Sequence, residues 1–163
     1  MTEDELVAHL EGYRAKAITL RFAVTLPAKH ATPQEVLDRL HEVRQNLDRV
    51  EELMQDAYRV KEIVAREAAF HAAVHEDAWD NEISRYNRSA VRRGEWEAPK
   101  ERYSEINLAT FEQKRAARSA AAKLARAVEV YTAIRTAHRG LDTLRSDVLV
   151  ILRTVQVLST LES

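Results

Sequence analysis

His71 and His75 stand four residues apart, with Glu67 one turn earlier and Asp77 close by. On a helix that spacing puts both imidazoles on one face, where a divalent metal could be chelated. The donor set stops there. The chain has no His-Glu-x-x-His motif and no Glu-x-x-His pair of the kind used by di-iron bundles, and the residues expected opposite are alanines and arginines. His138 lies on an apolar seam and reads as a packed histidine rather than a general base. The chain has no cysteine, which removes thiolate ligands, disulfides and cysteine nucleophiles. Three isolated glycines cannot build a phosphate loop, and no Gly-x-Ser-x-Gly elbow occurs. No catalytic, cofactor-binding or metal-binding residue is assigned, and no cofactor is expected. A metal-dependent bundle enzyme is the third-ranked reading.

The most distinctive cluster of side chains is aromatic and basic. Trp79, Tyr86, Trp96 and Tyr103 are interleaved with Arg85, Arg88, Arg92, Arg93, Lys100 and Arg102. Arginines contact phosphates and aromatic rings stack on bases, so single-stranded nucleic acid is one reading. The same Trp, Tyr and Arg mixture supplies hot spots in protein interfaces. Glu95, Glu97, Glu101 and Glu105 dilute the positive field, which ranks protein contact first and nucleic acid behind it. The residues assigned to a partner are Trp79, Tyr86, Arg88, Arg92, Arg93, Trp96, Arg102 and Tyr103.

These residues are placed by helices. Of 163 residues 45% are hydrophobic and 31% charged, with three Gly and three Pro, a composition that suits a helical domain and argues against a turn-rich sheet protein. From Pro33 to Arg93 there is neither Gly nor Pro beyond the first residue. Apolar side chains recur at Val36, Leu40, Val43, Leu47, Val50, Met54 and Ala57, the alternating steps of a coiled-coil seam. Thr32, Pro33 and Glu35 predict the start through a capping box. At about 1.5 Å per residue this helix would run roughly 90 Å. A first helix is predicted over about 2–26, opened by Thr2 and Glu5 and ended by Pro27. Leu6, Leu10, Tyr13, Ala17, Leu20 and Val24 form its seam, and Val7, Ile18 and Phe22 widen its buried face. Residues 18–26 also alternate like a strand, the rival reading for that stretch. Gly94 to Pro99 is the clearest breaker. A third helix is predicted over about 99–160, carrying Tyr103, Ile106 and Phe111 and then Ala120 to Leu158, with a kink at Gly140 as an alternative.

Closing a hairpin near residues 96–97 sets facing positions to a common register: Leu40 meets Leu152, Leu53 meets Leu141, Val64 meets Val128, and Ala72 and Ala73 meet Ala121 and Ala120. The first helix then covers residues of about 34–57 and 136–160. The expected fold is all-α: a long antiparallel, coiled-coil-like helical hairpin with a shorter N-terminal helix on its base, forming a three-helix bundle in one domain of residues 1–163.

Residues 1–82 hold 10 Lys and Arg against 17 Asp and Glu, and residues 83–163 hold 15 against 9, so an acidic helix lies against a basic one. The longest apolar run, Val148 to Leu152, is far short of a membrane span, and the acidic start is unlike a signal peptide. No membrane partner and a cytoplasmic location are expected. Ile18, Phe22, Leu149, Val150, Val157 and Leu161 give the base a second apolar face, assigned to a homo-oligomer interface. The expected function is a non-enzymatic scaffold, adaptor or assembly component; the alternative is a nucleic-acid-binding protein using the basic second half.

Overall fold

Thr32 and Glu35 start the longest helix as their spacing predicts. The amide and hydroxyl of Thr32 donate to Glu35 Oε2 at 2.7 and 3.0 Å, and the Glu35 amide donates to Thr32 Oγ1 at 3.3 Å. This reciprocal box satisfies backbone donors that a helix start leaves open. The same bonds hold the exposed Glu35 carboxyl below its ordinary pKa, the backbone donor being the larger cause.

The computed structural model describes residues 3–93 and 99–161, with side chains described for 5, 8–89 and 102–161. It contains helices α1 (Glu3–Phe22), α2 (Pro33–Arg93), α3 (Pro99–Ala109) and α4 (Phe111–Leu161), and no strand among the described residues. The fold is an all-α helical hairpin bundle in which α2 packs on α4 and α1. Thr2, the turn from Gly94 and Trp96 lie outside the described residues, as do the side chains of Leu6, Val7, Arg92, Arg93 and Lys100.

The chain divides into two compact units, Met1–Lys61 with Ala127–Ser163, and Glu62–Arg126. In the first, the predicted seam of α2 is the core. Leu47, Val50 and Ala57 join Leu10 and Ala17 of α1 and Ala127, Val130, Ile134, Ala137 and Leu141 of α4 in one cluster. Val36, Leu40 and Val43 join Val24, Leu144, Val148 and Leu152 in another. A fully buried Val or Leu contributes about 1.5–3 kcal/mol, so these stripes are the main source of stability.

The first helix stops at Phe22, five residues before Pro27, and residues 18–26 are not a strand. Leu26 precedes a proline and is biased away from helical geometry. Val24 leaves the helix and enters the second core cluster. The carbonyl of Leu20, near the end of α1, accepts from the buried Asn46 Nδ2 of α2 at 3.1 Å. A side chain of the second helix thus caps the first.

The cover also sits higher than predicted. Arg14 meets Glu129 at 3.6 Å, and a Cβ on Gly140 would collide with the Arg21 side chain. Helix α1 therefore lies along α4 from about 129 to 140 rather than 136–160. Gly140 permits this close approach, and α4 passes through it unbroken.

The second long helix is interrupted instead at Thr110, fully buried between α3 and α4. Its amide donates to Ile106 O at 3.0 Å, its hydroxyl to the same oxygen at 2.8 Å, and its carbonyl accepts from the Lys114 amide at 3.0 Å. Helical bonding therefore spans the joint. Thr110 takes the buried position expected of Phe111, which is 54% exposed. Two register assignments change as well: Val128 is 43% exposed between buried Ala127 and Val130, and Ala72, Ala73 and Ala121 face solvent.

Replacing Asn46 by Ala leaves the Leu20 carbonyl without its donor. Urea unfolding is expected to show a loss of about 1–3 kcal/mol. Glu35→Gln tests the cap. Because the folded pKa is depressed, the carboxylate's contribution is complete above the ordinary carboxyl range and disappears as pH falls through the folded value. The melting temperature of Glu35→Gln should lie below that of the parent at neutral pH, and the gap should close on acidification.

Candidate functional site

Within the unit Glu62–Arg126, α2 and α3 bring together part of the aromatic and basic cluster. Trp79 and Tyr103 stack with ring centroids 6.2 Å apart and planes 9° from parallel. His75, one turn before Trp79, adds a tilted ring at 6.3 Å, and the Arg102 guanidinium lies 5.2 Å from the Tyr103 ring centre. The result is a ladder of His75, Trp79, Tyr103 and Arg102. Trp79 is half-buried and Tyr103 exposed, so the stack has a packed side and an open side. His75 Nε2 and Arg102 Nε are buried without a hydrogen-bond partner, which marks the ladder as less completely satisfied than an ordinary core.

Tyr86 lies further along α2, in a groove of about 270 Å³ with Glu82, Arg85, Ser89, Glu105, Ile106 and Ala109. Both charge signs line it, and Arg85 is paired with Glu82 of its own helix at 3.4 Å. Arg88 turns back to the Ser84 carbonyl. The structure therefore joins Trp79, Tyr103 and Arg102, places Tyr86 in the groove beside Ile106, and leaves Arg88 on its own helix. Sequence reasoning passed over His75 as a member of the ladder. Its spacing of four from Trp79 was the available signal.

The other half of the histidine pair does different work. His71 Nε2 lies 3.5 Å from Glu67 Oε1 and its ring meets Phe70. Among the described residues no three His, Asp or Glu side chains converge in a way that would hold a metal ion.

In the unit built on α1, the residues assigned to an oligomer interface divide. Leu149 packs against the core cluster of Val36 and Val148. The others are exposed: Ile18, Phe22 at 73%, Val150 at 62%, Val157 and Leu161. Ile18 and Phe22 therefore do not widen the buried face of α1. Leu158, which its spacing placed on the buried seam of the third helix, is exposed as well, and so is Leu26. Phe22 and Leu26 line a groove of about 330 Å³ with Thr143 and Asp147 of α4.

Helical spacing places Thr143, Ser146, Val150, Thr154, Val157 and Leu161 along one outer stripe of α4. The hydroxyls of Thr143, Ser146 and Thr154 bond to the carbonyls of Arg139, Asp142 and Val150 at 3.0–3.1 Å. With those hydroxyls turned to the backbone, the stripe is more apolar than its composition suggests. No described helix is long and apolar enough to cross a membrane. No protein family, no curated protein and no solved structure matches the chain.

The stack is testable by a double-mutant cycle on Trp79→Ala and Tyr103→Ala. A coupling of about 0.5–1.5 kcal/mol in urea unfolding is expected, and a cycle that closes to zero would show the rings to be independent.

Proposed function

We propose that this chain is a non-enzymatic helical interaction protein, a scaffold, adaptor or assembly component. It associates with a second copy through the outer stripe of α4 and engages a protein partner through the ladder of Trp79, Tyr103 and Arg102. The observation that carries this reading is the exposed apolar stripe ending in Val150, Val157 and Leu161, with Phe22 and Leu26 exposed in the same unit. Large apolar side chains grouped on one helix face are a feature of interaction surfaces.

The spacing of the stripe favours a second copy of the chain. Counting from Val150, positions run four, three and four residues backward to Ser146, Thr143 and Arg139, and the same steps forward to Thr154, Val157 and Leu161. A two-fold axis at Val150 would set two antiparallel α4 helices with Val150 against Val150, Ser146 against Thr154, and Thr143 against Val157. Such an interface is self-complementary, as a symmetric dimer requires.

The aromatic ladder supports the second contact. Trp, Tyr and Arg dominate hot spots because they combine large contact area with polar atoms, and here they are preorganised by stacking. The groove beside Tyr86 carries both charge signs, which suits a polar protein surface.

Light scattering across a range of protein concentration tests the self-association. The parent is expected to have twice the chain mass, and Val150→Asp or Val157→Asp is expected to halve it without lowering helix content. A monomer at all concentrations would sink this reading.

A further inference from the structure

A different surface carries a proposal that goes beyond protein contact. On the unit Glu62–Arg126, a groove of about 480 Å³ is lined by Asn107, Phe111, Lys114, Arg115 and Arg118, spanning the joint at Thr110. We infer that this groove binds single-stranded nucleic acid, with Phe111 stacking a base and Arg115 and Arg118 contacting phosphates.

Three observations converge on that ligand. The first is charge. From Gln113 to Val128 the chain has five cations, Lys114, Arg115, Arg118, Lys123 and Arg126, and no acid. The acids that dilute the other basic cluster have no counterpart in this run; Glu112 flanks its start. The second is availability. Arg115 and Arg118 are exposed, and among the described residues neither has a hydrogen-bond or ion-pair partner. The expected neutralisation of α4 by acids of α2 does not reach them. Guanidinium groups one turn apart on a rigid helix can meet successive phosphates of one strand.

The third is the aromatic. Because Thr110 takes the buried position at the joint, Phe111 turns outward and is 54% exposed beside exposed Leu108. A flat ring bordered by cations is the arrangement that sequence-tolerant single-strand binding uses. Lys114 Nζ donates to Asn107 Oδ1 at 2.7 Å, which fixes the Asn107 amide at the edge of the groove while the ammonium keeps its charge. An acidic peptide would satisfy the cations but gain little from the ring, so a nucleic acid uses more of the site.

The test is fluorescence anisotropy of the full chain with a labelled oligothymidylate over a salt series. Arg115→Glu, Arg118→Glu, Arg115→Gln and Phe111→Ala are compared, all at exposed positions, with circular dichroism melts to check folding. Binding is expected to weaken steeply with salt. Each Arg→Glu change should weaken it by about tenfold or more, and Arg115→Gln should lower the log–log salt slope by about one. Phe111→Ala should cost about tenfold and leave the slope unchanged. Polyglutamate is the control. Absent oligonucleotide binding, binding indifferent to these changes, or equally tight polyglutamate binding that ignores Phe111 would each overturn the proposal.

Discussion

The structure depends on one stripe of side chains, the seam of α2 from Val36 to Ala57. A helix of this length cannot leave an apolar face in water, and helices in proteins draw most of their stability from such packing. Every other element of its unit is arranged to cover that seam. Helix α4 lies along it through Val130, Ile134, Leu141 and Val148, and α1 closes the remaining side through Leu10 and Ala17. Because one face of α2 is used up in this way, the surfaces left for recognition are the outer faces of the other helices and the segment of α2 beyond Lys61.

One hydrogen bond and one open space mark how far the cover extends. Asn46 projects from α2 to take the Leu20 carbonyl, and Gly140 of α4 makes room for Arg21. Both lie at the last turn of α1, after which the chain leaves the helix and Val24 enters the second cluster. The consequence reaches the surface. Since α1 runs beside residues 129 to 140 of α4, the last turns of α4 are left with Val150, Val157 and Leu161 in solvent. The candidate oligomer stripe exists because the cover stops where it does.

The joint at Thr110 has a comparable effect in the other unit. A single buried threonine keeps the helical bonding while shifting which residues face inward. Ile106 stays in the core, whereas Tyr103 and Phe111 become accessible. One of these rings stacks on Trp79 and belongs to the proposed protein contact. The other stands beside Arg115 and Arg118, at the start of a run of cations that contains no acid. The two rings thus carry different chemistries on either side of one interruption.

The fold class and the seam of α2 were legible in the sequence, because a heptad repeat without Gly or Pro has few alternatives and Thr32, Pro33 and Glu35 mark where it begins. The grouping of Trp79, Tyr103 and Arg102 follows from a hairpin closed within the chain, which a breaker between two long helices permits but does not dictate. What the sequence could not decide was the register of the third helix layer. Ile18 and Phe22 satisfy the periodicity of a buried face as well as Leu10 and Ala17 do, and periodicity does not say how wide the covered stripe is. Tertiary contacts settled that: Asn46 bonds the last turn of α1, Val24 packs into the second cluster just beyond it, and Thr110 takes the buried place that leaves Phe111 exposed. Each acts between residues far apart in the chain or through burial, and none leaves a periodic trace.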